Sequence, residues 1–459
     1  SSHFGPDSHT SVAMPRQAGQ GHPPWDCMNC FSWLWSSRSK FDPLADDKYF
    51  APLMSSALQK AITVRLEDVE TKLKHVLDDY GVAVVSCVVP TDVELQELES
   101  FFKEDLAELI DARLAEDSEV YKRFQEDGPR SLPLGSAKRL SRGNGFLLSR
   151  CLPHGRFAWA VRKNANVERV YRALHAEELQ QSGPGKQGLV ASMDVTFFSP
   201  DAEPVGSAAD FSAHCDQNRN DVRDNLATRP SFQGVVYVWP AGERSSTTVV
   251  WPRSHKTVWH RMMNDAAFKQ YGEWGLHYCE IREMKDKKLA QELAQGWQRN
   301  CCRCVVPAGS MLLWNSRTLH TGWLGGARLA QPVCMEPEAR RSQVARLGKL
   351  RLAALGLPST HWASEAMQHD MAKREAGYFS GYQPGGDQHN MQAAEKKDEG
   401  NLPLRYAIRP RGMRSDADLE ELSTLVKVKF DLTCIWRPSN VEEYQWLEGT
   451  VSDDVLDYL

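Results

Sequence analysis

Phe211-Ser212-Ala213-His214-Cys215-Asp216-Gln217 is the stretch on which the reading of this chain turns. In an extended segment alternate residues share a face, so His214 and Asp216 project to the same side of a strand. One neutral imidazole and one carboxylate can then close on a single metal ion, but a third ligand is needed to complete a face. The best candidate is His320. It ends the stretch 308–320, which reads as a glycine turn at Gly309, a buried apolar strand (Met311-Leu312-Leu313-Trp314) and a His at the far end.

Two His and one carboxylate, with the opposite coordination positions open, form the ligand set of non-haem Fe(II) oxygenases. The rest of the chain is compatible with an enzyme. With 459 residues and 41% hydrophobic content it can bury a large core, as one big domain with appendages or as two domains. A net charge of -5 offers no basic excess for nucleic acid and no acidic solvating tail. The eleven Cys are odd in number and scattered, and Cys87, Cys334 and Cys434 sit in apolar runs, so a reducing, cytoplasmic compartment is expected rather than a disulfide framework. The longest apolar run, 81–90, is too short to span a bilayer, so no transmembrane segment is expected. No secretory signal is visible at the start, and organelle targeting and oligomeric state stay open.

Residues 1–45, rich in Ser, Pro, Gly and His, read as a disordered arm. Cys27 and Cys30 have metal-ligand spacing but no second pair, and read as two thiols in a floppy segment. Order is expected from about Val64. Leu66, Val69, Leu73, Val76 and Leu77 recur at helical spacing, 81–90 reads as a buried strand, and Thr91 caps a helix to about Ala112. A further helix is expected over 167–181. From Leu189 the chain changes to short β-rich runs at 190–199, 232–239, 246–252, 304–307, 310–314 and 328–335, interrupted by a helical insertion at 259–298. That many short strands predict an α+β protein with a sandwich or jelly-roll core. After Pro337 a helix carrying Arg340, Arg341, Arg346, Lys349 and Arg351 reads as a solvated basic face. The division expected is an arm at 1–45, a main domain at 64–337, and an extension at 338–459 that packs on the core. Within the extension, 377–400 reads as flexible, 416–425 as a helix and 428–436 as a strand.

The order of these parts resembles the phytanoyl-CoA dioxygenase family of Fe(II)- and 2-oxoglutarate-dependent oxygenases, over roughly 64–335. Gly81-Val82-Ala83-Val84 is similar to its opening strand, and His214-Cys215-Asp216 to its His-x-Asp pair. Val249-Val250-Trp251-Pro252-Arg253-Ser254-His255-Lys256 is similar to its Pro-Gly-Ser-His segment, with Arg253 where the family has Gly. The stretch 308–320 is similar to its Ala-Gly-Asp strand ending in the distal His. A short loop with Gly322, Gly325 and Gly326 then leads to Arg328, where the family places the arginine for the far carboxylate of 2-oxoglutarate.

The resemblance implies a double-stranded β-helix (jelly roll, cupin-like) core with flanking helices. It implies Fe(II) on His214, Asp216 and His320, which are then also the catalytic residues, and 2-oxoglutarate on Arg328 with Thr248 and Trp251 lining its pocket. O2 would be the second co-substrate and ascorbate a candidate reductant. The activity implied is hydroxylation of a small or lipid-like metabolite with release of succinate and CO2; relatives that halogenate have a small residue in place of Asp216. His255 and Ser254 read as structural. Asn315 and Arg317 read as orienting groups or a solvent face, and Asp194 and Ser199 lie where relatives contact the co-substrate. The competing reading is a catalytically silent oxygenase-fold binding or scaffold protein, against which the full set His214, Asp216, His320 and Arg328 weighs. No residue code names the substrate.

Overall fold

The computed structural model describes residues 50–114, 118–135, 137, 146–147, 152–183, 185, 187–203, 212–354, 358–366, 441–451 and 453–459. The arm expected over 1–45 with Cys27 and Cys30, the flexible stretch at 377–400, and the elements expected at 416–425 and 428–436 lie outside the described residues.

The strands, in chain order, are β1 (Thr63–Arg65), β2 (Val82–Ser86), β3 (Phe146–Leu147), β4 (Leu189–Ala191), β5 (Thr196–Ser199), β6 (His214–Cys215), β7 (Phe232–Tyr237), β8 (Thr247–Val250), β9 (Cys279–Glu280), β10 (Cys302–Arg303), β11 (Ser310–Asn315), β12 (His320–Trp323), β13 (Arg328–Pro332) and β14 (Met335–Pro337). They form a seven-stranded sheet in the order β1-β2-β11-β7-β13-β5-β3, a five-stranded sheet in the order β10-β8-β12-β6-β9, and the pair β14-β4.

Side-chain parity explains how the sheets stack. Val82 and Val84 of β2, Val235 and Tyr237 of β7, Leu312 and Trp314 of β11 and Ala330 of β13 share one cluster with Val250 and Cys302 of the smaller sheet. The two sheets therefore pack face to face. The alternate residues Ala83, Val85, Val236, Met311, Leu313 and Leu329 turn the other way, onto helices that include Asp92–Leu114, Arg156–Arg162 and Ala165–Leu174. On the far side of the smaller sheet, Ala213, Cys215, Val249, Leu319 and Trp323 pack against helices Ser254–Met262, Ala266–Glu273 and Lys287–Asn300. The result is a mixed helix and sheet protein with four layers, and the space between the two sheets is where parity sends His214, Asp216, His320 and Arg328.

Local chemistry sets the ends of these elements. Gly81 adopts φ 73° and its N–H donates to the Leu77 carbonyl, which stops the helix Lys74–Tyr80 and releases the chain into β2. The helix from Asp92 opens with a capping box. Glu94 N–H donates to Thr91 Oγ1 at 3.2 Å, and Thr91 N–H donates to Glu94 Oε2 at 3.1 Å.

Several expectations need correction. The run 190–199 is two strands, because the backbone between them bonds elsewhere: Met193 N–H donates to Ser359 Oγ and Ser192 N–H to the Cys334 carbonyl. The helix expected at 167–181 breaks at His175, whose ring nitrogen Nε2 meets the Met335 carbonyl at 3.2 Å. Residues 304–307 form no strand; the strand is Cys302–Arg303, and Val306 makes only an isolated bridge with Ala241. The insertion is not purely helical, since it supplies β9, which pairs with β6. The basic helix, Gln343–Ala354, is not a solvated face. Lys349 and Arg351 are buried, and Lys349 Nζ donates to the Ala191 and Ala363 carbonyls at 2.7 Å each. Among the described residues no helix is long and apolar enough to cross a membrane, and the seven described cysteines are free thiols.

Candidate metal centre

β6 and β12 are antiparallel neighbours, and His214 stands directly opposite His320. Because Ala213, Cys215 and Leu319 point outward into the helical layer, His214, Asp216 and His320 point inward. Their ligand atoms all lie within 4.8 Å of one another. The imidazole centroids are 4.5 Å apart.

Each imidazole is oriented by its own backbone. Nδ1 of His214 lies 2.7 Å from the Ser212 carbonyl, and Nδ1 of His320 lies 2.9 Å from the Thr318 carbonyl. A carbonyl can only accept, so Nδ1 carries a proton in both rings and Nε2 is the nitrogen left for a metal. That is the tautomer a metal ligand requires, with the second nitrogen held by a hydrogen bond. Burial, reinforced by His320, pushes the His214 imidazole down to about 4, so it is neutral at pH 7.

Asp216 is fixed from two directions. Its N–H donates to the Ser316 carbonyl at 2.9 Å, and its Oδ2 accepts from Gln233 Nε2 at 2.9 Å. Burial pushes its carboxyl up, but the His214 and His320 rings outweigh burial and hold it well below the usual carboxylate range. The same Oδ2 lies 3.2 Å from His320 Nε2 and 4.0 Å from His214 Nε2. In the metal-free chain the 3.2 Å contact is a hydrogen bond from His320 Nε2 to Asp216 Oδ2. A cation among the three groups would take that proton's place, and two imidazoles with one carboxylate suit a divalent first-row metal. The donor set therefore fits the iron that the sequence resemblance implies.

A second feature lies on the inner face of the larger sheet. Arg328 is buried, with its guanidinium 4.2 Å above the Phe197 ring and Nη2 donating to Tyr237 Oη at 2.8 Å. Its Nε is buried without a hydrogen-bond partner among the described residues, as is the hydroxyl of Ser199, the residue directly opposite on β5. Burial lowers the Arg328 pKa from its ordinary value, and among the described residues no carboxylate pairs with it. A buried cation in this state is costly unless an anion joins it. Tyr237 Oη lies 3.4 Å from Thr248 Oγ1, and Thr248 is two residues from Val250, the residue opposite His320. That separation is roughly 7 Å along the strand. Arg328, Tyr237 and Thr248 thus form one polar group between the same two sheets as the three ligands, and the Arg328 and Ser199 atoms suit a carboxylate.

Trp251 does not join this group. It lies on the outward phase of β8, and its indole covers Gly296, where an added Cβ would come within 2.5 Å of the ring. His320 does not end the β11 strand as expected; β11 stops at Asn315, and His320 opens β12 in the facing sheet. His255 turns away from the centre, with Nε2 3.0 Å from the Asp78 carbonyl. Arg253 adopts φ 68°, the left-handed region that favours glycine. Arg317 donates to Gln217 Oε1 at 2.8 Å and Asn315 Oδ1 accepts from the Arg317 N–H, so both brace the loop between the sheets. The Asp194 carboxyl is pushed up to about 6 by burial against the pull of Ser192 and Arg162, and it feels Asp216.

Gln233, Tyr237, Tyr278 and His361 were not foreseen. The Tyr278 ring lies tilted against His214, with centroids 4.6 Å apart. Gln233 and Tyr237 share the inward phase of β7 with Val235, a signal that the alternation of 232–239 already carried.

No family model matches the chain, and no curated protein matches it. Solved structures similar to it include the GlcNAc-inducible gene 2 protein GIG2 (DUF1479) of Candida albicans, at 12% identity over 84% of this chain and 89% of that one, with a TM-score of 0.40. They also include EctD of S. alaskensis with 2-oxoglutarate and 5-hydroxyectoine, at 13% identity over 66% and 83%, with a TM-score of 0.34. A third is the non-heme alpha-ketoglutarate-dependent carbocyclase SnoK from nogalamycin biosynthesis, at 9% identity over 59% and 85%, with a TM-score of 0.33. Likenesses this remote decide nothing about the chain, and the site stands on its own geometry.

Proposed function

We propose that the chain is an Fe(II)- and 2-oxoglutarate-dependent oxygenase of the phytanoyl-CoA dioxygenase type, with the two facing sheets as its jelly-roll core. The observation that carries this reading is a pair of features between the same two sheets: three side chains whose ligand atoms converge, and one buried guanidinium with no carboxylate partner among the described residues. Iron(II) and a dicarboxylate that chelates it through its other end answer both at once.

In this reading His214, Asp216 and His320 would hold the metal. Iron bound there would supply the oxidising chemistry for a C–H bond, with O2 consumed and 2-oxoglutarate converted to succinate and CO2. Gln233 holds Asp216 in place so that its Oδ2 stays on the metal side. Arg328, supported by Tyr237 and Thr248, grips the far carboxylate and so orients the co-substrate. The outer helices and the aromatic residues Trp314 and Tyr278, whose rings lie tilted against the two imidazoles, restrict water.

The test is release of succinate from 2-oxoglutarate by the purified chain, with Fe(II), O2 and ascorbate as reductant. Turnover that needs both Fe(II) and O2, and that a metabolite extract stimulates, is expected. Absence of Fe(II)-dependent succinate under all extracts would leave only a binding protein.

A further inference from the structure

Beyond β14 the chain passes near the metal centre through residues 358–366, and the structure holds that segment at both ends. On one side Ser359 N–H donates to the Met193 carbonyl at 2.9 Å, and Ser359 Oγ accepts from Met193 N–H at 3.1 Å. On the other, Ser364 N–H and Oγ both donate to Glu336 Oε2 at 2.9 Å, Arg229 donates to Ser364 Oγ at 3.0 Å, and Lys349 donates to the Ala363 carbonyl. Burial pushes the Glu336 carboxyl up, yet Arg229 and Arg340 hold it down at about 2, so this anchor stays charged. Trp362 packs under the Arg229 guanidinium, 5.2 Å from the ring centre.

Between these two clamps stands His361. It is only 9% exposed, and its Nε2 is buried with no hydrogen-bond partner among the described residues. It is within electrostatic reach of Asp216 and His320, yet it is not a member of the set whose ligand atoms lie within 4.8 Å of one another. The His277 ring, 5.6 Å away, and the Trp362 ring, 5.0 Å away, leave it little freedom to swing. A buried ring nitrogen with no partner is unfavourable in the free protein, and a rigidly held one is pre-organised for a ligand that supplies the bond.

We propose that His361 is a positioning residue of the metal cavity, whose Nε2 hydrogen-bonds a polar group bound at the open side of the His214–Asp216–His320 face. This rests on the oxygenase reading and narrows it: the substrate carries a hydroxyl or comparable polar atom beside the position oxidised, and is not a bare hydrocarbon chain. Neutral imidazole can donate from Nε2 or accept there, so a hydroxyl satisfies it in either tautomer.

The test uses the full chain with Co(II) as a coloured stand-in for Fe(II), then 2-oxoglutarate, then sodium azide, a small anion that enters an open metal position and accepts a hydrogen bond. His361→Phe keeps the ring volume and removes both nitrogens. It is expected to weaken azide five- to tenfold while Co(II) and 2-oxoglutarate affinities stay within twofold of wild type. His361→Gln, whose amide can donate, is expected to recover part of the loss. Unchanged azide affinity in His361→Phe overturns the proposal, and so does an equal loss of Co(II) affinity, which would make His361 a ligand or a structural prop. If His361→Phe does not fold, His361→Leu carries the same comparison. Failure of wild-type protein to bind Co(II), or of 2-oxoglutarate to alter its spectrum, sinks the oxygenase reading itself and this proposal with it.

Discussion

His214 and His320 are direct cross-strand partners whose imidazoles sit 4.5 Å apart, each with Nδ1 tied to the carbonyl two residues earlier in its own chain. The strand pairing thus sets both the spacing of the rings and the tautomer that each presents. Asp216, one alternation beyond His214, is then the residue that completes a face.

Asp216→Ala removes the anionic ligand and Gln233→Leu removes only its brace. Mn(II) affinity, followed by the loss of the free-ion electron paramagnetic resonance signal, should fall more than a hundredfold for Asp216→Ala. For Gln233→Leu a drop of about tenfold is expected, the scale typical of partners that orient a ligand. Equal effects of the two changes would mean that Gln233 supports the fold rather than the carboxylate.

Arg328→Met predicts opposite outcomes for stability and function. The guanidinium is buried with no carboxylate partner among the described residues, so an apolar side chain of similar length should leave the free protein as stable or about 1–3 kcal/mol more stable. The rise in melting temperature that 2-oxoglutarate and Mn(II) give the wild type should shrink to that of Mn(II) alone. A variant that is both less stable and still raised by 2-oxoglutarate would contradict the assignment.

His175 carries a pH signature. Burial, with Arg340 adding to it, pushes its imidazole from 6.5 down to about 4, so between these values the unfolded chain holds a proton that the folded chain refuses. Its contribution is complete above pH 6.5 and is lost as pH falls toward 4, by about 3 kcal/mol. Urea unfolding of His175→Gln across that range should show a flatter decline than the wild type, while His214 and His361, shifted in the same direction, keep the rest of the slope.

Gly326, two residues before Arg328, has φ 87°, and an added Cβ would lie 1.9 Å from the Arg244 carbonyl oxygen. Gly326→Ala should cost about 2 kcal/mol or more and weaken 2-oxoglutarate binding through displacement of the loop. Gly242→Ala, where a Cβ meets nothing within 4 Å, is the control and should change stability by less than about 0.5 kcal/mol.

Much of this arrangement was legible in the chain itself. The apolar run 81–90 and the β-rich run 232–239 announced strands, and Thr91 announced its helix. Strand alternation forbids Thr248 and Trp251, three residues apart, from sharing a face, so Trp251 was a misreading that parity alone could have prevented. What stayed hidden depends on partners distant in sequence. The charges of the basic helix and the turn before it look solvated until Glu178, Glu336 and Glu448 come to Arg340 and Arg346. His320 looks like the end of one strand until the loop at Ser316–Thr318 carries it into the opposite sheet. No local pattern marks His361, because Ser359 and Ser364 acquire meaning only against Met193 and Glu336.

The most direct measurement is an anaerobic titration of the purified chain with Fe(II) and then 2-oxoglutarate, read in the visible region. The account predicts a weak metal-to-ligand charge-transfer band that appears only with both components, is lost in Asp216→Ala, and needs far more 2-oxoglutarate in Arg328→Met. A chain that folds yet gives no such band at saturating Fe(II) and 2-oxoglutarate would contradict it.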